Sequence, residues 1–355
     1  MKIAVLGGGH GCYAAAADLT LRGHEVRMWR RQAAQRAAGY AIAMKDRNGE
    51  HDLRIALYTP DIGEAVRGAG LIVVPTPAFA QEDIARKLAP HLQDSQVVFL
   101  PPGTFGSLVM WRALRQAGNR ADAAFCETGT LPYLARKHGE RQVAITSYAT
   151  RLPTGALPAR LSGHAFEVLR QAYPVEPVED ALSGALMNAG PIIHPPLILM
   201  NAGPLQHFPS WDIHSEGTQP AIRAVTDLLD QERIRVRERL GYAAPHFPLR
   251  DHYAGDQWMY GDAHQRLVDS GDWRENIDLL THRYITEDVH YGLAFLVSVA
   301  DWCGAPAPIA SGLLAIAGAI GGKDLRLGPR TIGALGLSSM TPDALKQKLV
   351  SGEGL

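Results

Sequence analysis

His194 lies in the apolar stretch Asn188-Ala189-Gly190-Pro191-Ile192-Ile193-His194-Pro195-Pro196. An imidazole titrates near neutral pH, so it is the natural group to give or take a proton. On the residues alone, a lone histidine in such surroundings is more often a hydrogen-bonded core residue than a catalyst. A second stretch, His282-Arg283-Tyr284-Ile285-Thr286-Glu287-Asp288-Val289, sets a guanidinium close to two carboxylates. Thr286-Glu287-Asp288 reads as a helix N-terminus with acidic residues in the first turn. Taken singly, Asp288 is a helix-start residue and Arg283 a surface charge. The third stretch opens the chain: Met1-Lys2-Ile3-Ala4-Val5-Leu6-Gly7-Gly8-Gly9-His10-Gly11, followed by Cys12-Tyr13-Ala14-Ala15-Ala16-Ala17. A strand, a glycine turn and a helix in this order place free N–H groups and a helix dipole where a pyrophosphate can sit. Gly7 suits the tight turn, and Gly9 lets the backbone approach phosphate without a Cβ in the way. Cys12 stands where the third glycine of G-x-G-x-x-G is usual, and its small side chain still permits close helix–strand packing.

These residues need elements to position them. Apolar runs predict strands at Lys2–Leu6, Glu25–Trp29, Leu53–Tyr58, Leu71–Pro75, Gln96–Leu100, Ala123–Cys126 and Gln142–Ser147. Helical patterns fall between them at Cys12–Leu21, Asp61–Gly68, Phe79–His91 and Thr104–Ala117. This rhythm implies an α/β domain over 1–180, a doubly wound Rossmann-type sheet with helices on both faces. Ligands of such sheets bind at the carboxyl ends of the strands, which here carry Gly7–Gly11, Pro75-Thr76-Pro77 and Pro101-Pro102-Gly103. Gly7, Gly8, Gly9, His10, Gly11, Pro75 and Thr76 are therefore candidate cofactor contacts; ordinary turns are the alternative. Beyond 180 the texture changes to long amphipathic stretches, Pro220–Leu240, Thr286–Cys303 and Pro308–Ile320. They imply an all-helical domain over 181–340 and a loose tail over 341–355. The alternating charges of Asp227–Arg239 read as a solvated helix face.

The chain has 355 residues, enough for two cores, and its 46% apolar and 20% charged residues argue against disorder. A formal net charge of −1 offers no field to recruit nucleic acid or an anionic membrane surface. Cys12, Cys126 and Cys303 are odd in number and form no Cys-x-x-Cys pair, which suits small buried hydrophobes in a reducing compartment. Ile3–Leu6 is too short for a signal-peptide core, and Asp301, Gly304, Pro306 and Pro308 divide the apolar run Tyr291–Gly322 into two helices. A cytoplasmic protein without a membrane span is the expectation. The apolar Leu313–Ile320 segment reads equally as core or as the face of a homodimer. The 14 histidines show no His-Glu-x-x-His spacing, so no metal is expected.

The predicted second strand, Glu25–Trp29, runs into Arg30-Arg31. An NAD-preferring site usually carries an acidic residue there to accept the ribose hydroxyls, and none lies between Glu25 and Asp46. Paired guanidinium groups complement a 2′-phosphate instead. NADP(H) is the favoured cofactor and NAD(H) the second choice; a solvated basic pair is the alternative.

Together these segments resemble the octopine/nopaline (opine) dehydrogenase family over nearly the whole chain. The resemblance rests on Gly7–Gly11, Leu100-Pro101-Pro102-Gly103, Glu127-Thr128-Gly129-Thr130-Leu131-Pro132-Tyr133, Ile193-His194-Pro195 with Asn201-Ala202-Gly203, and Arg283-Tyr284-Ile285-Thr286-Glu287-Asp288-Val289. It implies a reductive condensation: an amino acid and a 2-keto acid such as pyruvate form an imine, which NAD(P)H reduces to an N-(carboxyalkyl) amino acid. It further implies that His194 transfers the proton, that Asp288 orients it, and that Arg283 grips a substrate carboxylate. Cys12, His10 and Arg30-Arg31 depart from common family residues, which bears on cofactor preference. Trp258, Tyr260 and Trp273 read either as substrate-pocket or as core aromatics. Two other functions share a nucleotide domain. One is a dehydrogenase of the ketopantoate-reductase or glycerol-phosphate type, which commonly relies on a lysine that neither signature segment contains. The other is a non-catalytic NADP-binding redox sensor.

Overall fold

The computed structural model describes residues 1–253, 263–271 and 277–355; Trp258, Tyr260 and Trp273 lie outside them. The chain divides into two compact units, Met1–Ala185 with Lys348–Leu355, and Leu186–Gln347. The break falls at Ala185 rather than at 180, and the last residues group with the first unit.

An eleven-stranded sheet forms the frame of the first unit. Its strands are β1 (Lys2–Leu6), β2 (Glu25–Trp29), β3 (Ala37–Asp46), β4 (Gly49–Thr59), β5 (Leu71–Val73), β6 (Val97–Leu100), β7 (Ala124–Thr128), β8 (Tyr133–His138), β9 (Gln142–Tyr148), β10 (Leu152–Leu157) and β11 (Val175–Pro177). The order β4-β2-β1-β5-β6-β7 is parallel throughout. That is the doubly wound order of dinucleotide-binding sheets, with its switch point between β1 and β5. Ile3–Leu6, Leu71–Val73 and Val97–Leu100 are fully buried, as parallel strands covered on both faces must be. The helices of this unit are α1 (His10–Leu21), α2 (Ile62–Val66), α3 (Ala78–Leu88), α4 (Gly106–Gln116), α5 (Ser162–Leu169) and α6 (Ala181–Ala185). Ala14–Ala17 supply strong helix formers to α1.

Register brings the candidate cofactor residues together. Leu6 pairs with Trp29 and Val5 with Val73, so the glycine turn, Arg30 and Pro75-Thr76 leave the sheet side by side. The sheet is wider than the apolar runs predicted. β3 forms an antiparallel hairpin with β4, β9 joins β3, and β8 closes that edge; β10 and β11 extend the other.

The second unit is helical among its described residues: α7 (Gly190–Met200), α8 (Ala202–His207), α9 (Pro220–Arg239), α10 (Ala263–Ser270), a π-helix over Tyr284–Leu293, α11 (Ala294–Cys303) and α12 (Pro308–Gly321). No helix among the described residues is long and apolar enough to cross a membrane. On α12 the Leu313, Leu314 and Ala317 side chains are buried, and Ile316 and Ile320 are exposed. Residues 341–355 are not a loose tail: α13 spans Pro342–Ser351, and Gly352 lies against the Trp111 indole and the Pro158 ring.

The solvated face expected on Asp227–Arg239 is also corrected. Asp230, Glu232, Arg233 and Arg237 are buried. Arg233 Nε donates to Asp230 Oδ1 at 2.7 Å, and its Nη2 donates to the His246 and Phe247 carbonyls at 2.9 and 3.0 Å. Glu232 accepts the Ile309 and Ala310 N–H groups at 2.9 and 2.8 Å, capping the start of α12. The Asp230, Glu232 and Arg233 charges are offset by these partners, which is what allows them to be inside.

Candidate active site

In the first unit β1 ends at Leu6, and the Gly7 N–H donates to the Trp29 carbonyl at 2.9 Å. Gly7 has φ +128°, and a Cβ there would stand 2.7 Å from Cys12 Sγ and 2.8 Å from Thr76 Cγ2. Both the backbone and the space demand glycine. A Cβ at Gly9 would meet nothing within 4 Å, so the turn is open where phosphate must approach. Gly11 abuts Leu131 and Pro75, and Gly8 abuts the Arg30 side chain. Cys12 fits the place of the missing glycine with Sγ 3.7 Å from the Leu6 and Pro75 carbonyls. Burial pushes its thiol up to about 12, so it stays protonated packing material. The cradle and the first turn of α1 fit a dinucleotide pyrophosphate.

The remaining residues around this turn differ in what they face. Arg30 Nη1 lies 3.4 Å from the Tyr58 hydroxyl. Arg31 is two-thirds exposed and pairs with Asp83 at 3.5 Å. His10 Nδ1 accepts the Lys137 N–H at 2.8 Å, tying β8 to the start of α1. Lys137 was not singled out from the sequence; the signal was the basic run Arg136-Lys137-His138 following the Glu127–Tyr133 segment. Glu127 itself is buried and accepts the Phe105 N–H at 2.7 Å and the Ser107 hydroxyl; Gly103 abuts its side chain, which joins two of the resemblance segments.

In the second unit α7 packs on the π-helix through glycines. A Cβ at Gly190 would collide with Asp288 Oδ1, and one at Gly292 with the Pro191 ring. Pro195 and Pro196 sit inside α7 despite lacking the N–H that a helix interior uses. The π-helix begins at Tyr284, so Thr286 is an interior residue rather than the N-cap expected. Its hydrogen bonds run from i to i+5, so residues four apart stand nearly in line. Tyr284 and Asp288 are such a pair, and both meet His194.

His194 Nδ1 and Asp288 Oδ2 are 2.8 Å apart; the imidazole is one-fifth exposed and the carboxylate buried. The Tyr284 ring stacks on the imidazole with centroids 3.7 Å apart and planes at 13°. The buried Tyr284 hydroxyl and His214 Nε2 are hydrogen-bonded at 3.0 Å, and the His282 ring stands edge-on to Tyr284 at 4.4 Å. Burial lowers the His194 pKa below the usual imidazole range; Asp288 opposes this, and Arg283 and His282 add to it. Burial pushes the Asp288 carboxyl up, but His194, Arg283 and His282 outweigh it and hold Asp288 below the usual carboxylate range. Arg283 is exposed, and its charge acts on both groups. The structure thus brings His194, Asp288 and Arg283 together. It adds Tyr284, His214 and His282, which the sequence reading did not single out. No group of metal-ligating side chains occurs among the described residues.

Residues 177–321 match the family model described as NAD/NADP octopine/nopaline dehydrogenase, alpha-helical domain. Residues 2–103 match the NAD-dependent glycerol-3-phosphate dehydrogenase N-terminus. An opine dehydrogenase from Arthrobacter sp. (strain 1C) is 27% identical over 351 residues, 97% of each chain. The chain is similar to the opine dehydrogenases throughout its length. Among solved structures, an octopine dehydrogenase in complex with NADH and agmatine has a TM-score of 0.73 at 20% identity, over 99% of this chain and 98% of its own. An NADP+-bound yersinopine dehydrogenase has a TM-score of 0.61 at 17% identity, over 99% and 98%. These structures share the fold: a Rossmann-like nucleotide-binding region followed by a mostly helical unit. The first unit is a nucleotide-binding domain of the kind NAD(P)-dependent dehydrogenases carry.

Proposed function

We propose that this protein is an NAD(P)H-dependent opine dehydrogenase that condenses the amino group of an amino acid with a 2-keto acid and reduces the resulting imine. The observation that carries this reading is the His194–Asp288 pair at 2.8 Å under the charge of Arg283, within the stretch that matches the octopine/nopaline dehydrogenase helical domain. Cofactor contacts come from Gly7, Gly8, Gly9, His10, Gly11, Pro75 and Thr76, with Arg30 favouring NADP(H) and Arg31 turned toward Asp83. When bound, the reduced cofactor supplies the hydride that adds to the imine carbon. Asp288 accepts a hydrogen bond from the Nδ1–H of His194, which leaves Nε2 as the nitrogen that exchanges a proton with substrate. Imidazolium at His194 supplies the proton that the imine nitrogen takes up, so hydride plus proton give the secondary amine. Arg283 holds the keto acid's carboxylate in a forked pair, fixing which face of the carbon is presented.

Binding that carboxylate also offsets one of the charges that depress the His194 pKa, so the substrate helps to charge the acid that serves it. The test is a panel that mixes keto acids with amino acids and follows oxidation of NADPH or NADH, omitting each substrate in turn. Oxidation that needs both substrates is expected; oxidation with the keto acid alone would make the protein a simple hydroxy-acid dehydrogenase. His194→Asn is expected to lower turnover about a hundredfold with cofactor affinity unchanged, and equal loss of both would refute its proton-transfer role.

A further inference from the structure

Beside the glycine turn, cations and phenols interleave. The Lys137 ammonium sits 4.3 Å from the centre of the Tyr13 ring. Arg141 sits 4.8 Å from that of Tyr40, Tyr40 stacks on Tyr58 at 4.2 Å, and Arg30 reaches the Tyr58 hydroxyl. Tyr13 is fully buried, and its hydroxyl has no hydrogen-bond partner among the described residues. A buried, unanswered hydroxyl costs free energy unless something supplies an acceptor. Arg30 and Lys137 repel one another: burial lowers the Lys137 pKa and Arg30 lowers it further, with Glu140 acting in opposition. Two cations and an orphaned donor are the inventory that an oxyanion with several acceptor oxygens completes. Arg31, the second cation expected from the sequence, is instead largely exposed and paired with Asp83.

We propose that Lys137 is the second cationic ligand of the cofactor's 2′-phosphate, acting with Arg30, and that the Tyr13 hydroxyl donates to the same group. This rests on the NADP(H) reading above. Lys137 serves as a point charge, which needs no forked geometry, and Arg30 supplies the planar fork. The sequence separates Lys137 from Arg30 by more than a hundred residues; β8, pinned to α1 through His10, closes that gap.

The experiment titrates the full chain with 2′,5′-ADP and with 5′-AMP, followed by calorimetry. Neither ligand is a substrate, so the result is independent of whether the condensation reading holds. Lys137→Met is expected to weaken 2′,5′-ADP by about tenfold or more, the scale of one charge-assisted bond, and to change 5′-AMP by less than about twofold. Lys137→Arg is expected to keep the preference. Tyr13→Phe retains the ring beneath Lys137 and is expected to show the same selective loss, about tenfold. It decides the matter if Lys137→Met fails to fold. Equal weakening of both ligands, or no change in either, would overturn the assignment.

Discussion

Asp288→Asn keeps the shape of the side chain that meets His194 and removes its charge. The two groups are 2.8 Å apart with the carboxylate buried. Opposite charges centred about 4 Å apart attract by about 4 kcal/mol at an effective dielectric near 20. That corresponds to roughly three pKa units on the imidazole. Part is returned, because the same burial that strengthens the pair penalises both charges and an amide oxygen still accepts a hydrogen bond. The net result is a lower His194 pKa in the variant. His194 already lies below the ordinary imidazole range through burial, Arg283 and His282, so the loss of Asp288 bears on a scarce acid form. The assay is turnover in the reductive direction at saturating substrates from pH 5 to pH 9. On the proposed mechanism turnover requires imidazolium, so it is expected to fall as pH rises through the His194 pKa; in the variant this fall begins at lower pH. The loss is about tenfold or more at pH 8 and shrinks as pH is lowered toward 5. Oxidation of the opine product requires the neutral base, so its limb runs the other way and the variant shifts it in the same direction. A uniform loss at every pH with the break unmoved would refute the reasoning and leave Asp288 as a structural partner only.

Three further outcomes are expected. Tyr284→Leu removes the ring stacked on His194 and opens that face to water, which relieves part of the burial effect. The His194 pKa, read by NMR titration, should rise, and an unchanged value would show that the stack does not desolvate the imidazole. Asp230→Ala strands the buried Arg233 guanidinium and should cost about 3–5 kcal/mol in urea unfolding; a loss under about 1 kcal/mol would show the charge to be solvated after all. His24, His194 and His290 all have pKa values lowered by burial. The unfolded chain therefore binds more protons below its imidazole pKa of about 6.5. Stability is full above that pH and is lost as pH falls toward the folded-state values, so Tm should drop between pH 7.5 and pH 5. A flat Tm across that range would contradict the shifts.

What the sequence revealed follows from which physical signals are local. The buried runs Ile3–Leu6, Leu71–Val73 and Val97–Leu100 are uninterrupted apolar strands, and their parallel pairing was legible from the alternation with helices. β3 was missed because Ala37-Ala38-Gly39 has little strand preference of its own; it is held by pairing with β4. The charges of α9 misled because sign alternation was weighed above spacing. Asp230, Arg233 and Arg237 fall three and four residues apart, in step with the buried Leu229 and Val236, which is the signature of one inward face. Thr286-Glu287-Asp288 imitated a helix start, but the Ile285 and Thr286 N–H groups already bond the His282 carbonyl. Lys137 stood in the basic run Arg136-Lys137-His138, but its partners Tyr13 and His10 are brought near only by tertiary packing. The Tyr284–His214 contact also arises from tertiary packing, and nothing within a short window of sequence marks it.

The grouping of Lys348–Leu355 with Met1–Ala185 has a practical consequence for anyone who wants the nucleotide-binding unit alone. A fragment truncated after Ala185 would lack the peptide whose Gly352 covers the Trp111 indole and whose Ser351 carbonyl accepts from Arg160 at 3.4 Å. Re-exposing part of a side chain that is now 5% exposed forfeits up to about 1.5–3 kcal/mol. An autonomous version must therefore be spliced, with Ala185 joined to Lys348 through a designed linker, rather than cut. Made that way, it would carry the nucleotide-binding unit without the His194–Asp288 pair.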